Sequence, residues 1–417
     1  MDERRALLRR MFDAAIASAS PSACVPPHLP TPPVGRAVVV GGGKAAASMA
    51  SAVEANWEAT LEGLVVTRYE HGVACDRIEV VEANHPVPDE AGQAAAARIM
   101  GMAQGLGSDD LLLCLISGGG SALLALPAPG LTLEDKQAVS RALLRSGAAI
   151  GEINCVRKHL SAIKGGRLAA AASPAHVVSL IISDVPGDDP AIISSGPTVG
   201  DPTKSQDAIS ILTKYKIDTP RRITAHLASR TSETPKPGDA SLSNVQNIVV
   251  ATAKSSLEAA AEIAREAGYD ARILGDAIEG EARDVGAEQA ELAKAVAQSG
   301  RPVALISGGE TTVTVRGSGR GGRNGEYLLA LALALEGDAR FSAIAADTDG
   351  IDGSENNAGA FFLPGTLARA RDADVDPPGR LEANDSFGVF ESAGDLVISG
   401  PTLTNVNDFR AILIERD

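Results

Sequence analysis

Three apolar runs of the chain end in glycine-rich segments: Val40-Gly41-Gly42-Gly43-Lys44, Ile116-Ser117-Gly118-Gly119-Gly120-Ser121 and Ile306-Ser307-Gly308-Gly309-Glu310. Glycine at a strand end lets backbone N–H groups come close to a phosphate, and in open α/β sheets ligands gather at the carboxyl ends of strands. Gly42, Gly43, Ser117, Gly118, Gly119, Gly120, Ser121, Ser307, Gly308, Gly309 and Glu310 are therefore candidates for holding nucleotide phosphates. One such segment is an ordinary tight turn; three in one chain point to anion recognition. Lys44 stands in the first turn of the helix expected after the first segment, where the helix dipole disfavours a cation unless an anion sits with it.

Basic residues supply further anion candidates. The stretch 154–167 holds Arg157, Lys158, His159, Lys164 and Arg167 and only one kind of charge, and such a local field attracts small anions. A solvated basic helix face is the plainer reading of each residue alone. Arg323 lies in a glycine loop just before the expected helix of residues 327–335, with Asn324 as its N-cap, where a guanidinium and backbone donors can share a phosphate. Asp184 and Asp189 follow one strand and Asp349 another; Mg²⁺ needs only one or two carboxylates beside substrate phosphates. Asp188 and Asp352 read instead as turn residues. His85, between Asn84 and Pro86, is either a substrate contact or a structural loop residue. Gly41 to Ala46 satisfies G-x-G-x-x-A, so an NAD(P)-dependent oxidoreductase has to be considered, but Thr67-Arg68 ends the next strand without the acid that would hold a ribose. The serine-hydrolase elbow, Walker and calcium-loop patterns are absent.

These groups need elements to position them. Apolar runs at 37–40, 64–67, 111–116, 177–182, 248–251, 303–306 and 342–346 alternate with alanine-rich helical stretches, the pattern of sheets covered on both faces. The expected fold is α/β, in two domains, each a largely parallel or mixed sheet flanked by helices. With 417 residues against roughly 100 to 200 per domain, two cores are expected. The polar stretch 231–244 places the boundary near 240, giving domains 1–240 and 241–417. Leu8, Met11, Phe12 and Ala15 have amphipathic-helix spacing, and the acidic start is unlike a secretory signal. A net charge of −15 argues against nucleic acid and anionic membranes, and the apolar run 327–335 is too short to span a bilayer. Four scattered cysteines signal neither disulfides nor zinc, which fits a cytoplasmic setting. A homodimer is compatible with the sequence.

Taken together, the motifs resemble the glycerate 2-kinases whose C-terminal half is called the MOFRL domain. The resemblance rests on Gly41 to Ala45, Asn84 to Asp89, Ser117 to Ala122, Val156 to Ser161 with Lys164 to Gly166, Ser183 to Pro190 and Ser195 to Thr198. In the second half it rests on Gly321 to Glu326, Thr348 to Gly350, Asn384 to Ser386 and Gly400 to Asp408. It implies a Rossmann-like first domain, a MOFRL-type second domain and an active site in the cleft between them. The implied reaction is ATP-dependent phosphorylation of D-glycerate at the 2-hydroxyl, giving 2-phosphoglycerate and ADP. Lys44 and Arg323 match the basic residues associated with catalysis. Mg²⁺ would be held through Asp184, Asp189 or Asp349, and an aspartate would orient the 2-hydroxyl. Asn405 falls among the nucleotide-binding segments, and His85, Arg157, Lys158 and Asn324 would contact glycerate. Gly325 stands where a larger polar residue such as glutamine is expected, and Asn356 where many relatives carry aspartate. The alternative is an NAD(P)-dependent hydroxypyruvate reductase.

Overall fold

The apolar runs at 37–40, 64–67, 111–116, 177–182 and 248–251, joined by a strand outside them at Ile78–Ala83, form one sheet: Ala37–Gly42 (β1), Glu62–Arg68 (β2), Ile78–Ala83 (β3), Leu111–Ile116 (β4), His176–Ile182 (β5) and Val245–Ala251 (β6). The computed structural model describes residues 3–298 and 300–416. The strand order is β3-β2-β1-β4-β5-β6, and β1 pairs in parallel with both β2 and β4. The two central strands are buried along their whole length because helices cover both faces. The chain reverses its direction of travel across the sheet between β1 and β4. Such a switch leaves a crevice at the carboxyl ends of these two strands, where the first two glycine-rich turns begin.

The second sheet is mixed. Its strands are Asp270–Glu281 (β7), Val303–Thr312 (β8), Phe341–Asp347 (β9), Gly359–Phe362 (β10), Leu396–Val397 (β11) and Asp408–Ile414 (β12), in the order β11-β10-β9-β12-β8-β7. β12 inserts between β8 and β9 antiparallel to both, so its first residue, Asp408, lies opposite Gly309 and Asp347 at the carboxyl ends of its neighbours. One face of this sheet packs on Tyr327, Leu328 and Leu331 of the helix Arg323–Ala334. Leu257 and Ala260 pack on the other.

The chain separates into two compact units, Pro21–Val250 and the described residues of Met1–Ser20 with Ala251–Asp417. Both ends of the expected first domain, 1–240, therefore differ. β6, which follows the polar connection, adds to the first sheet beyond β5, with the Val177 N–H donating to the Asn244 carbonyl at 2.9 Å. The helix Glu3–Ser18 belongs to the second unit: Leu8, Met11, Phe12 and Ala15 bury against Ile306, Ile344 and Phe409. An apolar stripe goes where a sheet face needs cover, whatever its place in the chain. The first unit also carries a satellite helical cluster, 133–145, 150–159, 205–214 and 221–227, with its own core of Val139, Leu143, Val156 and Leu212. Among the described residues, no helix is long and apolar enough to cross a membrane.

Candidate active site

In the first unit the β1 and β4 turns lock together through backbone. The Lys44 N–H donates to the Gly118 carbonyl at 2.8 Å, and the Ala45 N–H to Ser117 Oγ at 3.0 Å. Gly43, at φ 146°, leaves no space for a side chain: a Cβ would stand 2.1 Å from Ser117 Oγ. Gly119 is left-handed at φ 82°, and a Cβ on it would lie 3.2 Å from both the His85 ring and Lys44 Cγ. Lys44, His85 and Gly119 thus meet at the end of β4. Ser121 Oγ joins Ser195 Oγ at 2.9 Å, and Ser194 Oγ donates to the Ser117 carbonyl at 2.9 Å. Ser194, Ser195 and Gly196 all have positive φ, a tight coil of backbone closing this side of the turn.

Beside that turn is a cavity of about 260 Å³, walled by Pro86, Val87, Ala122, Ala125 and Leu133 and floored by Lys136, Arg157 and Lys164, with His85 and Gly119 at one side. Among the described residues, no carboxylate lines it. Burial, with Arg157 nearby, pushes the Lys136 amine down to about 7. Burial, with Lys136 and Arg157, takes Lys164 well below its ordinary range. Arg157 is lowered by burial but stays protonated, as guanidinium does in proteins. A concave, largely apolar site with convergent cations and no acid is built for an anion. Lys158 differs from the sequence expectation. One residue on from Arg157, and so about 100° around the helix Ile150–His159, it pairs with buried Asp201 at 3.5 Å.

In the second unit the sheet organises a charge network at the start of the helix Arg323–Ala334. The Arg323 Nε donates to Asp408 Oδ1 at 2.8 Å, Nη2 to Asp347 Oδ2 at 2.8 Å and Nη1 to Glu310 Oε1 at 3.1 Å. Burial opposes the charge, but these three carboxylates outweigh it and hold the guanidinium above its ordinary range. Asp408 Oδ2 in turn accepts from Arg410 Nη2 at 2.5 Å. Arg410 is buried, lies over the Tyr327 ring at 5.1 Å, and its Nε and Nη1 have no hydrogen-bond partner among the described residues.

Several expected roles in this unit change. Asn324 is not the N-cap. It lies inside the helix, and its Nδ2 holds Asp408 Oδ1 at 2.8 Å. The capping acceptor is Asp352, read from the sequence as a turn residue: its carboxylate takes the Asn324 N–H at 3.0 Å and the Gly325 N–H at 2.8 Å. Burial pushes this carboxyl up to about 6; the two N–H bonds and Arg323 oppose the rise, and Asp408 adds to it. A Cβ on Gly325 would lie 2.5 Å from Ser386 Oγ, so a larger residue there needs the serine side chain to move. Residues 307–310 form no turn: β8 continues through Ser307, Gly308, Gly309 and Glu310, and Gly309 is needed because the backbone of Ile278 would stand 2.3 Å from its Cβ.

The carboxylates proposed for metal take separate places. Asp184 follows β5 and is half-buried, while Asp189 is exposed with Oδ1 accepting the Ala191 N–H at 2.9 Å. Asp349 belongs to the second unit, where its buried Oδ1 accepts from the Ile351 N–H at 2.9 Å. Among the described residues, no three His, Cys, Asp or Glu side chains converge as a metal cluster. Asn405 is buried in the loop before β12, with Oδ1 accepting the Asn407 N–H at 3.3 Å.

The sequence carries family relationships over nearly its whole length. A family model described as a domain of unknown function, DUF4147, matches residues 7–228, and the MOFRL family model matches residues 303–408. A D-glycerate 2-kinase of Thermotoga maritima is 41% identical over 400 residues, covering 94% of each chain. The crystal structure of a glycerate kinase from the same organism aligns with a TM-score of 0.91 at 39% identity, covering 99% of this chain and 100% of that one. The chain belongs to the MOFRL family of glycerate kinases. A family member of Agrobacterium vitis, 55% identical over 417 residues and covering 98% of this chain and 94% of its own, bears the name "Putative hydroxypyruvate reductase".

Within this glycerate kinase fold, sequence reasoning overlooked Lys136 and Arg410, met Asp347 and Asp408 only inside longer motifs without giving them a role, and took Lys164 only as part of a basic run. Lys136 had a legible signal: it shares the buried stripe of its helix with Leu133, Val139 and Leu143, an odd place for a lone lysine. Asp408 had none, because its meeting with Arg323 depends on β12 running antiparallel between two distant strands.

Proposed function

We propose that this protein catalyses transfer of the γ-phosphoryl group of ATP to the 2-hydroxyl of D-glycerate, releasing ADP and 2-phosphoglycerate. The observation that carries this reading is the cavity of Lys136, Arg157 and Lys164, which has no acid of its own and lies against the turn that bears Lys44. It suits a small hydroxy acid: the cations hold the carboxylate, the apolar wall excludes water, and His85 stands beside the entering molecule. In the transfer, the glycerate C2 oxygen forms a bond to the γ-phosphorus as the bond from that phosphorus to the β-bridging oxygen breaks. The hydroxyl proton leaves to an aspartate, and ADP departs. Lys44 neutralises charge that develops on the transferring group, and Arg323, held by three carboxylates, is the second residue that the reading assigns to phosphate charge. The carboxylate oxygens of Asp184, Asp189 and Asp349 are hard donors of the kind Mg²⁺ takes; when bound, that ion would neutralise phosphate charge.

The reductase alternative has in its favour the name of the Agrobacterium vitis relative and the G-x-G-x-x-A pattern at the β1 turn. Against it, the place where a ribose-binding acid would stand is occupied by buried Thr67, whose Oγ1 donates to the Lys44 carbonyl at 3.2 Å. The deciding experiment is ³¹P and ¹H NMR of the purified protein with D-glycerate, ATP and Mg²⁺. Phosphate coupled to the C2 methine supports the reading. Coupling to the C3 methylene overturns the regiochemistry. Absence of ADP, with NADPH consumed on hydroxypyruvate, replaces the kinase by the reductase.

A further inference from the structure

The cavity of the first unit has an electrostatic imbalance that reaches beyond substrate shape. Lys136 comes from the helix Leu133–Arg145, Arg157 from the helix Ile150–His159 and Lys164 from the segment after it. The other titratable groups facing the space are His85, from the loop after β3, and Arg141, on the same helix as Lys136 but exposed. The acids nearest in sequence are turned elsewhere: Asp135 binds Arg222 through both oxygens at 2.6 Å each. An ammonium has three N–H donors and is strongly hydrated in water. Here the Lys136 Nζ has the Leu126 carbonyl at 3.4 Å, and the Lys164 Nζ has the Ser194 carbonyl at 3.3 Å, single long contacts to neutral acceptors. The two lysines are 9% and 2% exposed, so both are largely withdrawn from bulk water.

Two ammonium groups and a guanidinium around one small, largely apolar space repel one another where the dielectric is low. Arg157 keeps its proton, so the amines yield first. The direction in both lysines agrees: burial and the neighbouring cations favour their neutral forms, with Lys136 brought down to about 7. Bringing in a carboxylate reverses that balance, because an opposite charge at contact distance favours the protonated amine. The pair titrates as a unit, so the proton belongs to the two amines jointly.

We propose that the cavity takes up the substrate carboxylate together with a proton, which the Lys136–Lys164 amine pair captures from solvent, so that affinity for the hydroxy acid falls as pH rises above neutrality. The charges balance: a neutral amine, a proton and an entering carboxylate become an ammonium–carboxylate ion pair. As pH falls and the amine pair takes up its proton in the empty cavity, less proton is drawn in on binding and the pH dependence weakens. The proposal rests on the assignment of this cavity to glycerate and adds its regulation by pH.

Isothermal titration of the full-length protein with D-glycerate at pH 8, in several non-coordinating buffers of different ionisation enthalpy, reads the proton directly. Plotted against buffer ionisation enthalpy, the apparent binding enthalpy should have a slope of about one proton taken up, and KM for glycerate should rise up to about tenfold per pH unit above 7. Lys136→Arg keeps a cation but has no proton to gain, so it should retain binding with a smaller slope; Lys164→Arg provides the same comparison at the second amine. Measurable binding with zero slope overturns the coupling and leaves the kinase reading intact. An unchanged slope in both arginine variants places the proton elsewhere and also overturns it. No binding heat in any buffer, together with no ADP formed from ATP and glycerate, overturns the assignment of the cavity and the coupling with it.

Discussion

Replacing Arg323 by methionine separates the structural and chemical work of one residue. The guanidinium donates to two buried carboxylates, Asp408 and Asp347, each at 2.8 Å, and to the exposed Glu310 at 3.1 Å. Removing one partner of a buried ion pair usually costs about 3–5 kcal/mol, because the other charge is left unpaired. The lower end applies here: Asp408 keeps Arg410 and Asn324, and Asp347 keeps the Asp349 N–H. A loss of about 3 kcal/mol in a unit of this size corresponds to a melting temperature lower by about 6–12 °C. If Arg323 also stabilises the transferring phosphoryl group, kcat measured well below the transition falls by about 10²–10³-fold, the usual effect of deleting a preorganised charge. Scanning calorimetry and coupled ADP-release kinetics on the same preparation give both numbers. Glu310→Gln is the control, since an exposed ion pair contributes about 1 kcal/mol or less. A melting temperature within about 2 °C of the parent would refute the network argument. A folded Arg323→Met protein with near-parental kcat would refute the catalytic one.

Adjacent residues of the basic helix should behave in opposite ways. Arg157→Ala should raise KM for glycerate by about tenfold or more with little change in melting temperature, since it loses a charge-assisted bond to substrate. Lys158→Ala strands buried Asp201 and should lower stability by about 3 kcal/mol with KM unchanged; kinetics and thermal melts of the two proteins side by side check this, and a KM effect confined to Lys158 would reverse the assignment. For Asp352, whose carboxyl stands at about 6 in the folded protein against 3.8 ordinarily, the sign follows from linkage. Between these values the folded state binds a proton that the unfolded chain has lost, so this group's stabilisation is full below about 4 and fades as pH rises through about 6, by about 3 kcal/mol in all. Urea unfolding from pH 4 to 7 should show a shallower loss of stability over this range in Asp352→Asn than in the parent; parallel curves would contradict the raised carboxyl.

The α/β class was legible because continuous apolar runs broken by glycine turns and alanine-rich helices admit few other arrangements. The β1 and β4 turns and the amphipathic first helix could be read for the same reason: each is a local pattern. Five strands lie outside the apolar runs; β10 and β11, of four and two residues, are too short to show a pattern, and the other three have causes of their own. β3 carries Glu79 and Glu82 and is largely half-exposed, β7 is a long sheet-edge strand with little full burial, and β12 is a short apolar run whose neighbours lie far away in the chain. The glycines of residues 307–310 misled because a glycine inside a strand, kept for close backbone approach, has the same letter as one in a turn.

For the candidate site, residue type and spacing determined which groups could bind anions: Lys44 beside its glycines, Arg157 in a basic helix and Arg323 before a buried one. The tertiary structure decided which of them face a space lined without acids and which are already paired with carboxylates. Arg157 and Lys158 are chemically alike and adjacent, yet a helix turns each residue by about 100° from the last, so one faces a cavity without acids and the other faces Asp201. Lys136 joins Arg157, and Asp408 joins Arg323, only because helix packing and an antiparallel strand bring together positions far apart in the chain. Local propensity is written in neighbouring residues, but charge compensation depends on distance in space, and that distance exists only once the chain has folded.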